Sequence, residues 1–325
     1  MRYLRPLMQV GPARVPGAMP MGWCWVTHVE ILSRSAAPAV VPVTDLTDAE
    51  RARFTSPGDA PQIMGILNTT PDSFSDGGAH DTHERAIAQG QALVAAGADL
   101  LDIGGESTRP GATLVPDETE IDRTAPVIAG LRGAGVGAPI SIDTRKSGVA
   151  AAALDAGATY VNDVSGFTFD PALAPLCAAR QVPVCVMHAK GTPQTMQDSP
   201  VYDDVLLDVY DALAARIDAL VALGIPRSRI TADPGLGFGK TQSHNLAILN
   251  RISLFHGLGV PILLGASRKR FIGSIGNAPE PQARAPGSVA VALAAIAQGV
   301  AIIRAHDVAD HAQAIALWRA SVANA

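Results

Sequence analysis

Ala96-Gly97-Ala98-Asp99-Leu100-Leu101-Asp102-Ile103-Gly104-Gly105-Glu106-Ser107-Thr108-Arg109 is the stretch on which the fold is read. An Ala-rich segment of helical composition leads into it and stops at Gly97. A short apolar run, residues 100–103, follows and exits into glycines and polar residues. Glycine suits the end of a helix because the left-handed conformation there carries no Cβ penalty. The same unit returns around Gly157, Gly224, Gly259 and Gly299, each time ahead of another apolar run. Strands that alternate with helices pair in parallel through right-handed crossovers.

Eight runs fit the pattern: residues 63–67, 100–103, 140–142, 160–161, 184–187, 230–232, 262–264 and 301–303. They do not alternate apolar with polar, as befits strands buried on both faces. Stretches 84–96, 201–223 and 287–298 have helical length and composition. Eight strand-helix units predict an α/β fold, a (β/α)8 TIM barrel, with an open doubly wound sheet as the structural alternative. The runs exit into Asn68, the segment 104–109, Asp143, Asn162-Asp163, His188, Asp233, Ser267-Arg268-Lys269, and Arg304 with His306. In a barrel these ends meet at one mouth, where active sites are built. Helix capping explains an Asp, Asn or Ser at such a position, but not Lys269, Arg304 and His306 as well.

Composition narrows the function. The 325 residues are 48% hydrophobic and 17% charged, which excludes disorder driven by charge excess. Aromatics at 4% and a net charge of −5, without a basic stripe, argue against nucleic-acid binding. Cys24, Cys177 and Cys185 form no paired framework and no zinc pattern, and the start has no apolar signal segment, so a reducing cytoplasm is expected. The uncharged run between Arg284 and Arg304 has the length of a membrane span. Gln298-Gly299 divides it, and it reads as a buried helix, a cap and a strand.

Two loops stand at the expected mouth. Asn68-Thr69-Thr70-Pro71-Asp72-Ser73-Phe74-Ser75-Asp76-Gly77-Gly78 and Gly104-Gly105-Glu106-Ser107-Thr108-Arg109-Pro110-Gly111 read together as lids that exclude water. Gly235-Leu236-Gly237-Phe238-Gly239-Lys240-Thr241 invites a phosphate-loop reading. It fails the template because Pro234 stands where the first glycine belongs. Asp233 is more informative, since a carboxylate can accept two parallel N–H bonds from an amidine-like edge. Arg304 and His306, just ahead of a helix near Val308, form an anion-binding set.

These motifs, with Ser141-Ile142-Asp143-Thr144, Met187-His188 and Asp233-Pro234-Gly235, resemble the dihydropteroate synthase family in order and spacing from about Gln62 to the C-terminus. Arg145 and Ala305 depart mildly from the family's pattern and touch no named role. The resemblance implies condensation of 6-hydroxymethyl-7,8-dihydropterin diphosphate with p-aminobenzoate, Mg2+ assistance and pyrophosphate release. It implies a pterin pocket of Asp143, Asn162, Asp233 and Lys269 lined by Met187 and Phe238. Asn68, Thr108, Arg109, Arg304 and His306 would hold the diphosphate, with Asn68 also ligating the metal. Phe74, Arg109, Pro110 and Ser267 would contact p-aminobenzoate, and Asp76 would order the first loop. Asn68, Asp76, Thr108, Arg109 and Lys269 would carry the catalysis. The implied partners are these small molecules and a second copy of the chain in a homodimer, with no membrane and no nucleic acid. A pterin-binding barrel that presents a methylated folate to a corrinoid, and a silent binding barrel, are the competing readings. The first should not need the Arg304-His306 pair or both lid loops, and intact Asn68, Arg109, Lys269 and Arg304 weigh against the second.

The barrel is expected over 61–325, leaving 1–60 as an extension packed on it. Residues 23–32 read as one strand, and Thr47-Asp48-Ala49-Glu50 as a capping box opening a short helix.

Overall fold

The computed structural model describes residues 2–12, 15–70, 79–108, 111–191, 195–196 and 200–323. Eight strands carry the barrel: β5 (Gln62–Asn68), β6 (Leu100–Gly104), β7 (Ile140–Asp143), β8 (Tyr160–Asp163), β9 (Val184–Met187), β10 (Ile230–Asp233), β11 (Leu263–Leu264) and β12 (Ile302–Ala305). All pair in parallel in the order β10-β9-β8-β7-β6-β5-β12-β11. A parallel bridge from Ala232 to Ile262 and the Ala232 N–H to Pro261 carbonyl bond, 2.9 Å, join the two ends into a ring.

Helices lie between the strands: α2 (Ala79–Ala95), α3 (Asp117–Gly133), α4 (Ser147–Asp155), α5 (Leu173–Arg180), α6 (Val205–Ala222), α7 (Gln242–Asn250), α8 (Arg270–Ile275), α9 (Ala285–Ile296) and, after the last strand, α10 (Val308–Ala323). The glycines that mark the repeated unit adopt the left-handed conformation, Gly97 at φ 104° and Gly157 at φ 113°, so each helix stops where the next strand begins. Among the described residues no helix is long and apolar enough to cross a membrane. The uncharged run near the C-terminus is α9 followed by the start of β12.

Two apolar layers follow from the two faces of each strand. One face packs against the helices in the main core, with Leu101, Ile103, Ile142, Val161 and Val186 fully or nearly fully buried. The opposite face carries Met64, Leu100, Tyr160, Cys185, Leu263 and Ile302, which cluster with Ala301 apart from that core. Side chains on a strand alternate between faces, so these residues fill the inside of the ring as an apolar floor.

The first 60 residues build more than one strand. β1 (Tyr3–Val10) pairs antiparallel with β3 (Cys24–Leu32), whose other edge takes β2 (Met19–Met21) and then β4 (Ala39–Pro42). Pro6 hides β1 in the sequence because proline is confined to edges and bulges, and here the register shifts between Pro6 and Met8. The capping box at Thr47 and Glu50 opens α1 (Asp48–Arg51) as expected. Leu4, Met21, Val26, Val29, Val43 and Leu46 give the sheet its own small core. It is seated on the barrel by Tyr3 edge-on to Tyr210 of α6, centroids 5.4 Å apart, and by the Trp23 Nε1–H bond to the Ile296 carbonyl of α9, 3.0 Å.

Near this seat lies His256, 1% exposed, whose Nε2 pairs with the Gln298 carbonyl at 2.9 Å. Burial lowers its pKa to about 4. The folded chain therefore keeps it neutral while an unfolded chain protonates it below about 6.5, and stability falls as pH drops from about 6.5 to 4. One such proton is worth up to about 1.4 kcal/mol per pH unit. Urea unfolding at pH 7 and 4.5 should show a smaller acid loss for His256→Gln than for the unsubstituted chain; equal losses would contradict the assignment.

Candidate active site

The floor determines where the site lies. Two residues along from Leu100, Ser141, Tyr160, Cys185, Thr231 and Ile302, on the same strand faces, stand Asp102, Asp143, Asn162, Met187, Asp233 and Arg304. Period-two alternation thus lifts the interior from an apolar layer to a polar one within one step toward the strands' C-terminal ends. Five of these six residues are the ones expected to bind pterin or diphosphate. Asp102 is the one the motif reading left without a role. Its signal was a lone carboxylate inside an otherwise apolar strand, which must find a partner when buried.

That partner is Arg304. Its Nε donates to Asp102 Oδ2 at 2.5 Å and its Nη2 to Asp143 Oδ2 at 2.7 Å. Asn162 Nδ2 donates to the same Asp102 oxygen at 3.1 Å, so one fully buried carboxylate binds a residue of β8 to a residue of β12. Burial raises the Asp143 carboxyl to about 7, and the Arg304 guanidinium pulls against that rise. With two carboxylates around one permanent cation, the cluster has no surplus positive charge. Gly104 lies beside it, where a Cβ would make ordinary van der Waals contact with Asp143 Cβ at 3.6 Å.

Asp233 faces the cluster from β10. A Cβ on Gly265 would lie 3.6 Å from Asp233 Oδ2 and 3.9 Å from Arg304 Cδ, so the missing side chain keeps open the space between them. Asp233 Oδ1 accepts from the Gly235 N–H at 2.7 Å. Burial raises the Asp233 carboxyl, against the Gly235 bond and the Lys269 charge. Lys269, the N-cap residue of α8, places Nζ 4.1 Å from the Phe238 ring centroid. Met187 is buried below, its Cγ 3.1 Å from where a Gly235 Cβ would stand. Carboxylate, ammonium and aromatic face therefore stand close together, a set that suits a flat, nitrogen-rich ring with donors on one edge.

At the rim, Ser267 and His306 meet. Ser267 Oγ accepts from the His306 N–H at 3.1 Å and pairs with the ring Nδ1 at 3.0 Å. Asn68 ends β5, half-buried, and Thr108 is half-buried on the loop after β6. Phe74, Asp76, Arg109 and Pro110 lie outside the described residues. Other exits turn away from the mouth. Asp163 caps its own turn through the N–H groups of Ser165 and Phe167, both at 2.7 Å. Arg268 is held by Asp307 in a two-bond fork.

Comparison with known proteins places this geometry. The family model described as pterin binding enzyme matches residues 64–306. The dihydropteroate synthase of Synechocystis sp. is 45% identical over 266 residues, 81% of this chain and 92% of that protein. Escherichia coli dihydropteroate synthase is 41% identical over 262 residues, covering 81% and 92%. Among solved structures, Xanthomonas albilineans dihydropteroate synthase with 4-aminobenzoic acid is 47% identical with a TM-score of 0.76, covering 81% of this chain and 93% of its own. The same enzyme with 7,8-dihydropteroate gives 43% and 0.74, covering 81% and 94%. The matched span holds the whole polar layer, from Asp102 to Arg304, and with it the chain belongs to the pterin-binding enzymes, among the dihydropteroate synthases, transferases of folate biosynthesis.

Proposed function

We propose that the chain condenses 6-hydroxymethyl-7,8-dihydropterin diphosphate with p-aminobenzoate to 7,8-dihydropteroate and pyrophosphate, and that the polar layer inside the barrel is the pterin site. The observation that carries this reading is the grouping of Asp233, Lys269 and Phe238 beside the strand-end layer of Asp143, Asn162 and Arg304. The pterin's guanidine-like edge donates to Asp233 and bonds Asn162. Its carbonyl and ring nitrogen accept from Lys269, and Asp143 accepts from the N–H across the ring system. Buried donors left without these partners would cost about 1 to 3 kcal/mol each, which makes the pocket selective.

Asn68, Thr108, Arg304 and His306 take the diphosphate. The bond between the exocyclic methylene and the diphosphate oxygen breaks, and its electrons leave with the oxygen. The electron-rich ring supports the positive charge that develops on the methylene. The neutral aromatic amine then attacks that carbon and loses a proton, so no strong general base is required. Arg304, through its guanidinium charge, and His306, as a hydrogen-bonding ring, stabilise the leaving group where negative charge grows. Ser267, bonded to His306, lies beside the path of the amine. Arg109, Pro110, Phe74 and Asp76 complete the aminobenzoate side and the lids in this reading.

Magnesium fits the same arrangement. Among the described residues no three His, Cys, Asp or Glu side chains converge on a cation site. Mg2+ commonly keeps several waters and takes one or two protein oxygens plus substrate phosphates. The Asn68 amide oxygen would hold the ion, which would supply charge neutralisation on the diphosphate when bound. A homodimer through barrel helices is part of the reading, supported by Ile275 on α8, 58% exposed, beside the uncharged helix α9. Three free, buried cysteines support work in the cytoplasm.

Incubation with both substrates and Mg2+ should release pyrophosphate and form dihydropteroate; no turnover would overturn the proposal. Calorimetry should show Asp233→Ala binding pterin at least about 10-fold more weakly, in line with one unpaired buried edge. Pterin binding should also weaken as pH falls through about 7, where Asp143 takes up a proton, loses its charge and turns one acceptor oxygen into a donor. Arg304→Ala removes the opposing charge, so that midpoint should move to higher pH while pyrophosphate affinity falls. An unmoved midpoint would contradict the role given to Arg304.

A further inference from the structure

The Gly235 to Thr241 segment resembles a phosphate loop yet lacks its first glycine, and its lysine has no part in the chemistry above. In a phosphate loop that lysine would reach out toward anion. Here Lys240 is 2% exposed and turned inward. Its Nζ lies 2.9 Å from the Gly235 carbonyl, 3.1 Å from that of Phe238, 3.2 Å from that of His188, and 2.9 Å from His188 Nδ1. All four partners are neutral acceptors, and burial lowers the Lys240 ammonium to about 7 against the pull of the Asp233 charge. Burial, then the Lys240 charge, lowers the His188 imidazole to about 3, so the ring is neutral and Nδ1 accepts.

The three carbonyls come from two places, the exit of β9 and the loop between β10 and α7. One ammonium therefore cross-links the loop to itself and to the neighbouring strand. The backbone there is tightly wound. Gly235 and Gly239 sit at φ 67° and 64°, and a Cβ would meet the His188 carbonyl at 2.0 Å and the Lys190 carbonyl at 2.4 Å. Carbonyls turned inward in this way repel one another unless a cation collects them. The loop's outer side carries what the pocket uses: Phe238, under the Lys269 ammonium, and Gly235, whose N–H holds the Asp233 carboxylate.

We infer that Lys240 is a positioning residue of the pterin pocket, its ammonium, paired with His188, acting as an internal cross-link that sets Phe238 and Asp233 against the ring. Pterin specificity then depends on a buried lysine amine that never touches the substrate. The inference rests on the pterin reading of this group of residues, and the test separates the two. Calorimetric titrations with 6-hydroxymethylpterin and, separately, pyrophosphate would be run on the full chain and on Lys240→Met, which keeps length and loses the donors. The unsubstituted chain should bind pterin; failure there overturns the pterin reading and the inference with it. Lys240→Met, folded by circular dichroism, should bind pterin at least about 10-fold more weakly and pyrophosphate within about 3-fold, because Asn68, Arg304 and His306 lie outside the loop. Pterin affinity within 2-fold of the unsubstituted chain, or equal losses for both ligands, would overturn it. Should Lys240→Met not fold, His188→Leu removes one acceptor and keeps the charge. A selective loss of about 3-fold or more in pterin affinity then supports the inference, and a smaller or unselective loss overturns it.

Discussion

A guanidinium shared by two carboxylates inside a closed ring of strands is the constraint around which the rest of this molecule is arranged. Asp102 and Asp143 leave water on β6 and β7, and burying such charges costs several kcal/mol per ion unless they are paired and hydrogen-bonded. Arg304, arriving from β12, supplies the pairing through Nε and Nη2. Its reach requires β12, β5, β6 and β7 to be consecutive neighbours, which is the order the sheet adopts. The apolar floor beneath sets the other boundary. Methionine, leucine, tyrosine and isoleucine side chains fill the ring up to the level of Leu100 and Ile302, so the charged layer opens only toward the mouth. Fold and site are thus one arrangement, with the same strands alternating between a core that needs no partners and a layer that must have them.

Much of this was legible before any coordinates. A strand buried on both faces has to be apolar throughout, and a glycine at φ > 0 has to end the helix before it, so residues 63–67 and 184–187 could be placed within a residue of β5 and β9. Polar and charged residues on strand ends could be picked out because exits from such runs have few structural reasons to be charged; their division into pterin and diphosphate roles came from the family resemblance. What was hidden was pairing. Asp102 reads as one letter in a Gly-rich motif, and only the register Ile66 to Asp102 together with the reach of Arg304 shows it holding Asn162 and Arg304 at once. Arg268 gives the opposite case. It reads as part of a basic mouth, but Asp307 neutralises it through a contact 39 residues away in sequence.

The N-terminal sheet was concealed by composition. Proline within β1 and the short β2 and β4 weaken each strand signal, and only antiparallel pairing on β3 makes the four of them a unit. Its contacts run to α6, α9 and the segment before β11, on the flank of the barrel rather than over its mouth. The matched family span begins at Met64, after this sheet. The polar layer accordingly draws none of its residues from it.

The central claim is that the pterin side and the diphosphate side of the site meet in Arg304. In the free chain that guanidinium is committed to Asp102 and Asp143. A pterin that donates to Asp143 and Asn162 takes over part of the carboxylates' demand and leaves the guanidinium to an anion. Two ligands that meet through one shared group must be coupled, and the coupling is reciprocal. The most direct measurement is the calorimetric affinity for pyrophosphate with and without saturating 6-hydroxymethylpterin. Pyrophosphate should bind at least about 5-fold more tightly to the pterin-loaded chain, the lower end of typical coupling between sites. Equal affinity in the two titrations would contradict the claim.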